Sequence, residues 1–132
     1  ADEAIELFQI ARYRNIPAST LPQGIRKLLD IAMAVAGSPR VLLLDEPTSG
    51  ISVEEKFGLM DVVMSALKSR RITVLFVEHD MDMVHDVSDW VIVMAEGRVI
   101  AEGTPDDISP NPAVIDAYLG ANQGRSLLEE ET

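Results

Sequence analysis

Two short apolar runs, each stopped abruptly by acidic side chains, constrain this chain most. The first is Val41-Leu42-Leu43-Leu44, followed by Asp45-Glu46-Pro47. The second is Ile72-Thr73-Val74-Leu75-Phe76-Val77, followed by Glu78-His79-Asp80. Runs that are apolar at consecutive positions predict strands buried on both faces, as in a parallel sheet covered by helices. Between them, Phe57, Leu59, Met60, Val63, Met64 and Leu67 recur at helical spacing over 53–69, with Lys68, Arg70 and Arg71 at the end where cations suit the helix dipole. A strand, a helix and a parallel strand make a right-handed crossover. Both acidic triplets then reach the carboxyl edge of the sheet, where ligands of open α/β sheets bind.

The flanking segments fit the same class. Ile5, Leu7, Phe8 and Ala11 predict a short helix over 3–12, broken by Asn15, Pro17 and Ser19. A second helix carries Leu28, Leu29, Ile31, Ala32, Val35 and Ala36 and stops at Gly37-Ser38-Pro39. Thr20-Leu21-Pro22-Gln23 at its start has capping-box spacing, with Thr20 as the cap. A helix near 80–87 leads into Trp90-Val91-Ile92-Val93-Met94, and Glu96-Gly97 turns that strand into Val99-Ile100-Ala101 as a hairpin. Small helices near 104–109 and 112–119 and a polar tail at 121–132, including Glu129-Glu130-Glu131, complete the reading. The methionines and Trp90 read as packing residues, and His85 as structural or solvated.

Charge narrows the function. Of 11 basic and 22 acidic side chains, residues 1–40 hold five and four, so the remainder, with six and eighteen, carries all of the net negative charge. Such a surface repels phosphate backbones and anionic lipid, which argues against nucleic-acid binding. The absence of cysteine excludes disulfides, thiolate metal sites and a cysteine nucleophile. No apolar run reaches bilayer length, and Ala-Asp-Glu-Ala at the start does not resemble a secretory signal. The expectation is a soluble intracellular domain.

Carboxylates at a sheet edge can hold a hydrated Mg²⁺ or orient a water, and a nearby histidine can bond a phosphate. A lone Asp-Glu after an apolar run more often just ends a strand, and a lone histidine there is more often solvated. The longer context reverses those odds. Val41-Leu42-Leu43-Leu44-Asp45-Glu46-Pro47-Thr48-Ser49-Gly50 resembles the Walker B motif and following loop of ABC-transporter ATPases. Val77-Glu78-His79-Asp80, with His79 lying 33 residues after Glu46, resembles their switch-histidine strand, and 89–105 their final hairpin. Residues 111–120 are similar to the ending of branched-chain amino-acid importer ATPases, with lipopolysaccharide-export and urea-import relatives as alternatives.

The resemblance implies an α/β fold: a partial P-loop NTPase-like, mostly parallel sheet with flanking helices that lacks the P-loop strand. It implies one domain over 1–120, made of a helical signature region (1–39), the Walker B, switch-histidine and hairpin segment (40–103) and C-terminal helices (104–120). Asp45 would bind Mg²⁺ through water, Glu46 would activate the attacking water, and His79 would sense the γ-phosphate of ATP. Leu21, Gln23, Gly24, Ser49, Gly50 and Ser52 occupy the nucleotide-contacting signature and D-loop positions. The implied partners are a second ATPase subunit, membrane permease subunits and an external solute-binding protein, with the chain peripheral on the cytoplasmic face.

Three departures modify that expectation. No G-x-x-x-x-G-K-[ST] string occurs, so the chain reads as the C-terminal half of an ATPase domain with weak or absent ATP binding by itself. The signature Leu-Ser-Gly-Gly-Gln is Leu21-Pro22-Gln23-Gly24-Ile25, and Pro22 has neither a hydroxyl nor an N–H. Residues 20–25 as a simple helix start is an equal alternative. The family's Leu-Asp after Gly50 is Ile51-Ser52. A non-catalytic interaction module is the competing reading. Loss of the P-loop strand would leave an apolar strand edge or a gap, and the chain is expected to self-associate, swap a segment or rearrange to close the sheet.

Overall fold

The computed structural model describes residues 2–120, and the chain forms two compact units, Ala1–His79 and Asp80–Thr132. The expected tail at 121–132 lies outside the described residues.

The first unit contains α1 (Asp2–Leu7), 3-10 turns at Ala11–Tyr13 and Ala18–Thr20, α2 (Gln23–Ala36), β1 (Val41–Asp45), α3 (Val53–Ser69) and β2 (Thr73–Val77). The helix expected over 3–12 ends at Leu7, because Gln9 enters the left-handed region at φ +59°. In α2, Leu28, Ile31, Ala32 and Val35 make one buried stripe, and in α3 Leu59, Met60, Val63, Ala66 and Leu67 do the same. α2 packs on both α1 and α3, and α3 lies against β2. Phe8, Met60, Val63 and Leu67 are fully enclosed. Each such side chain contributes about 1.5–3 kcal/mol through removal from water.

Thr20 does not cap α2. Its N–H and hydroxyl both bond the Pro17 carbonyl, at 2.9 and 2.8 Å, closing the 3-10 turn. Pro22 takes the cap position instead, with its carbonyl accepting from Arg26 N at 3.0 Å and no side-chain cap. Proline fits there because its missing N–H lies outside the helix's hydrogen-bond pattern.

β1 and β2 pair in parallel, from Val41 opposite Thr73 to Asp45 opposite Val77. Leu42 is buried on the inner face, while Val41, Leu43, Leu75 and Val77 on the outer face are each more than half exposed. The expectation of strands buried on both faces is therefore corrected: within this unit, only one face is covered. α3 ends in a Schellman turn. Arg71 N reaches the Lys68 carbonyl at 3.0 Å, Ile72 N reaches that of Leu67 at 3.1 Å, and Arg71 holds φ +55°.

The second unit contains α4 (Met81–Val87), β3 (Val91–Ala95), β4 (Arg98–Gly103), α5 (Pro105–Ile108) and a helical stretch at 112–120. Asp80 caps α4, its carboxylate accepting from Asp82 N and Met83 N at 3.0 and 3.1 Å. β3 and β4 form the expected antiparallel hairpin through Glu96 and Gly97, whose φ values of +51° and +75° suit a type I′ turn. Val91, Ile108 and Val114 form its core, with Met81, Val84, Val93 and Ala101 around them. Trp90 and Met94 do not pack as expected; they are 58% and 63% exposed, on positions this small core does not reach. His85 joins Asp106 at 2.9 Å, both exposed.

Among the described residues the α/β fold is thus present as two two-stranded sheets, one parallel and one antiparallel. Among the described residues, no helix is long and apolar enough to cross a membrane.

Candidate functional site

The site is built where β1 and β2 end. Glu46 N donates to the Val77 carbonyl at 2.8 Å, extending the backbone ladder one residue past β1. Glu46 then turns at φ +46°. For a residue with a Cβ that conformation costs about 1–2 kcal/mol, so surrounding bonds must hold it. His79 supplies one, with Nε2 at 2.6 Å from Glu46 Oε1. An ionised carboxylate can only accept, so Nε2 carries the proton and Nδ1 is left for another partner. The side chains of His79 and Glu46 remain 66% and 43% exposed, open to an incoming ligand.

A second strap runs beside the first. Glu78 Oε1 accepts from Thr48 Oγ1 at 2.7 Å and from Thr48 N at 3.2 Å. Thr48 is the buried polar residue of the described chain, and no buried side-chain polar atom lacks a partner. The third member of the triplet, Asp80, is the cap of α4.

Asp45 closes β1 with an exposed carboxylate. It lines, with Lys27 and Asp30 of α2, an open pocket of about 190 Å³. That is below the ~300 Å³ at which small-molecule sites begin, so the pocket does not enclose a nucleotide. No group of three or more His, Asp or Glu among the described residues could hold a metal ion. A single exposed carboxylate does fit Mg²⁺ held through its water shell, since this ion uses one or two carboxylates and keeps its waters.

The remaining candidate residues gather at the start of α2 and in the loop after β1. Ser49 N bonds the Glu46 carbonyl at 3.0 Å and Ile51 N that of Thr48 at 3.1 Å, so the loop is a succession of tight turns. Gly50 adopts φ +76°, and a Cβ there would stand 2.5 Å from Gln23 Nε2. Gln23 and Gly50 are thus brought together. Gly24 faces Leu59 and Ile51, Ser52 precedes α3 with its hydroxyl on Glu55 at 3.2 Å, and Leu21 is buried with its carbonyl taken by Arg26. Thr48 was not singled out from the sequence, and Glu78 was noted only as part of the acidic triplet after β2, without a role. The available signal was a hydroxyl three residues past the end of β1 and a carboxylate one residue past the end of β2.

A family model described as "ABC transporter" matches residues 1–49, and one described as "Branched-chain amino acid ATP-binding cassette transporter" matches residues 98–122. The Pseudomonas aeruginosa protein named high-affinity branched-chain amino acid transport ATP-binding protein BraF is 38% identical over 116 residues, covering 88% of this chain and 46% of that protein. The Escherichia coli K12 protein LivG, of the same description, is 36% identical over the same shares. Among solved structures, the ADP conformation of MJ1267, an ATP-binding cassette of an ABC transporter, superposes with TM-score 0.76 at 28% identity, covering 89% of this chain and 48% of that one. CbiO1 from Clostridium perfringens, part of the ABC transporter complex cbiONQ, gives 0.79 at 31%, covering 97% and 51%. This chain spans about half the length of the curated relatives it matches. Family models at its two ends and a shared fold across most of its length agree: the chain belongs to the ABC-transporter ATPase family.

Proposed function

We propose that this chain contributes the hydrolytic side of the ATP site in a subunit that powers branched-chain amino-acid uptake. The observation that carries this reading is the Glu46–His79 pair, at 2.6 Å, beyond the carboxyl ends of two parallel strands. Glu46 would orient and deprotonate the water that attacks the γ-phosphate, and the one ring N–H of His79 would hold Glu46 until it turns to donate to that phosphate. Asp45 would hold Mg²⁺ through water, and the ion when bound would offset charge on the phosphates. Gln23, Gly24, Ser49, Gly50 and Ser52, with Leu21 anchoring the start of α2, would form the surface offered to the nucleotide of a second ATPase subunit.

The names of BraF and LivG support amino-acid transport. On this reading the chain works on the cytoplasmic face with permease subunits and a second ATPase. No phosphate-cradling G-x-x-x-x-G-K-[ST] string is present in the 132 residues, which favours a second reading: the chain acts alone only as a non-catalytic module.

Two measurements test these readings, and the second separates them. Calorimetric titration of Mg-ATP into the chain is expected to give no binding heat; micromolar binding would overturn the division of the site proposed here. A chimaera in which this chain replaces the matching stretch of BraF is expected to hydrolyse ATP. Glu46→Gln in that chimaera should lower kcat by about 10²–10⁴-fold, the usual contribution of a general base. A folded, ATP-binding chimaera with no hydrolysis would leave the non-catalytic reading standing.

A further inference from the structure

We infer that Glu78 and Thr48 are positioning residues for the Glu46–His79 pair, acting as a side-chain clamp that holds the loop after β1 in its working conformation. This rests on the ATPase reading for its purpose, but the clamp itself is a property of this chain.

Glu46 sits at φ +46°, a conformation that a glutamate does not favour in isolation. Backbone pairing supplies only one bond beyond β1, from Glu46 N to the Val77 carbonyl. Past that point the ladder ends, and Pro47 has no N–H to continue it. Thr48 is the first residue able to donate again, and both its N–H and its hydroxyl go to one oxygen of Glu78. The acceptor is a carboxylate and the donor residue is 6% exposed, so these part-buried bonds are better shielded from competing water than an exposed contact. The exposed Glu46–His79 contact has no such protection. Glu46 is therefore held between two fixed points, its own N–H on β2 and Thr48 on Glu78. His79, next to Glu78 in the chain, is fixed by the same side chain.

The arrangement makes distinct demands on the two residues. Residue 48 must donate from its side chain, and residue 78 must accept. Serine at 48 and glutamine at 78 keep those capacities, whereas valine at 48 and alanine at 78 remove them.

The test is imidazole ¹⁵N NMR on the chain itself, with His79 neutral. The bond to Glu46 selects the Nε2–H tautomer, which gives one protonated and one bare ring-nitrogen signal. A released ring shows averaged signals, and Glu46→Ala provides that reference. Glu78→Ala and Thr48→Val are expected to shift His79 toward the released reference, while Glu78→Gln and Thr48→Ser keep the wild-type signals. His85, in the other unit, should not move in any of them. Wild-type His79 signals in folded Glu78→Ala and Thr48→Val would overturn the inference. Should Glu78→Ala fail to fold, Thr48→Val against Thr48→Ser decides alone, since valine preserves the shape of threonine. In the BraF chimaera the two disabling variants should lower kcat roughly tenfold or more with KM for ATP unchanged, as expected when a reacting group is misplaced. An inactive chimaera would count against the ATPase reading and leave the NMR result to judge the clamp.

Discussion

At residue 50 a backbone conformation and a neighbouring side chain make the same demand. Gly50 holds φ +76°, and any Cβ would meet the amide of Gln23 at 2.5 Å. The amide is the far end of a flexible side chain and can swing away, so the lasting penalty of a substitution is the left-handed backbone. Gly50→Ala is expected to cost about 1–2 kcal/mol in urea unfolding followed by circular dichroism. Adding Gln23→Ala should return only the smaller, steric part. If Gln23→Ala restored full stability, contact and not conformation would be the reason for glycine. The glycine was legible in the sequence as part of a motif; its partner was not. Gln23 is 27 residues away in sequence, and only the packing of α2 beside the loop brings them together. The pairing of Thr48 with Glu78 escaped attention for a similar reason. Their pairing depends on how far each strand end projects, which residue types alone do not encode.

Among the elements, the longer helices followed their apolar spacing closely: α3 occupies Val53–Ser69, the span its stripe predicts. Ends were less legible. Thr20-Leu21-Pro22-Gln23 carries a capping-box pattern, yet Thr20 closes a 3-10 turn and Pro22 starts the helix uncapped. A local hydrogen bond to Pro17 wins because it needs no rearrangement of the chain. The end of α3 offers a direct test of another terminus. Arg71 occupies the left-handed position of a Schellman turn, where glycine is usual. Arg71→Gly is expected to stabilise the chain by about 0.5–1 kcal/mol, the relief of Cβ strain less glycine's greater freedom when unfolded. A lower urea midpoint in this variant would mean that the Arg71 side chain supplies more than the turn costs. Burial of the strands was read only in part. Leu43 and Leu75 are as apolar as a two-sided strand requires, but the helices of the first unit cover one face.

For the molecule as a whole, two opposing surface properties coexist: a net charge of −11 and an exposed apolar strip of Val41, Leu43, Leu75 and Val77. Charge keeps copies apart at low ionic strength, and screening within a Debye length of about 10 Å at 0.1 M salt removes much of that protection. Exposed apolar strands then favour association. Sedimentation is expected to show self-association that strengthens with added salt. Leu43→Lys with Leu75→Lys should remain monomeric under the same conditions. Association that weakens with salt, or that persists in the double variant, would place its cause in ion pairs or elsewhere on the surface. The family was readable at this scale because several motifs agree in order and spacing; the division into two small sheets was not, since it depends on which strands find partners.

The loop after β1 has one more consequence. Glu46 and Gly50 are four residues apart, a length that spans at most about 14 Å even when drawn straight. Here it is coiled into consecutive turns, with Glu46 tied to His79 at one end and Gly50 against Gln23 at the other. So short a tether limits how far its two ends can move independently. A small tilt of α2 is taken up by the flexible Gln23 side chain, so only a shift large enough to move the Gly50 backbone would reach Glu46 and register at the imidazole of His79.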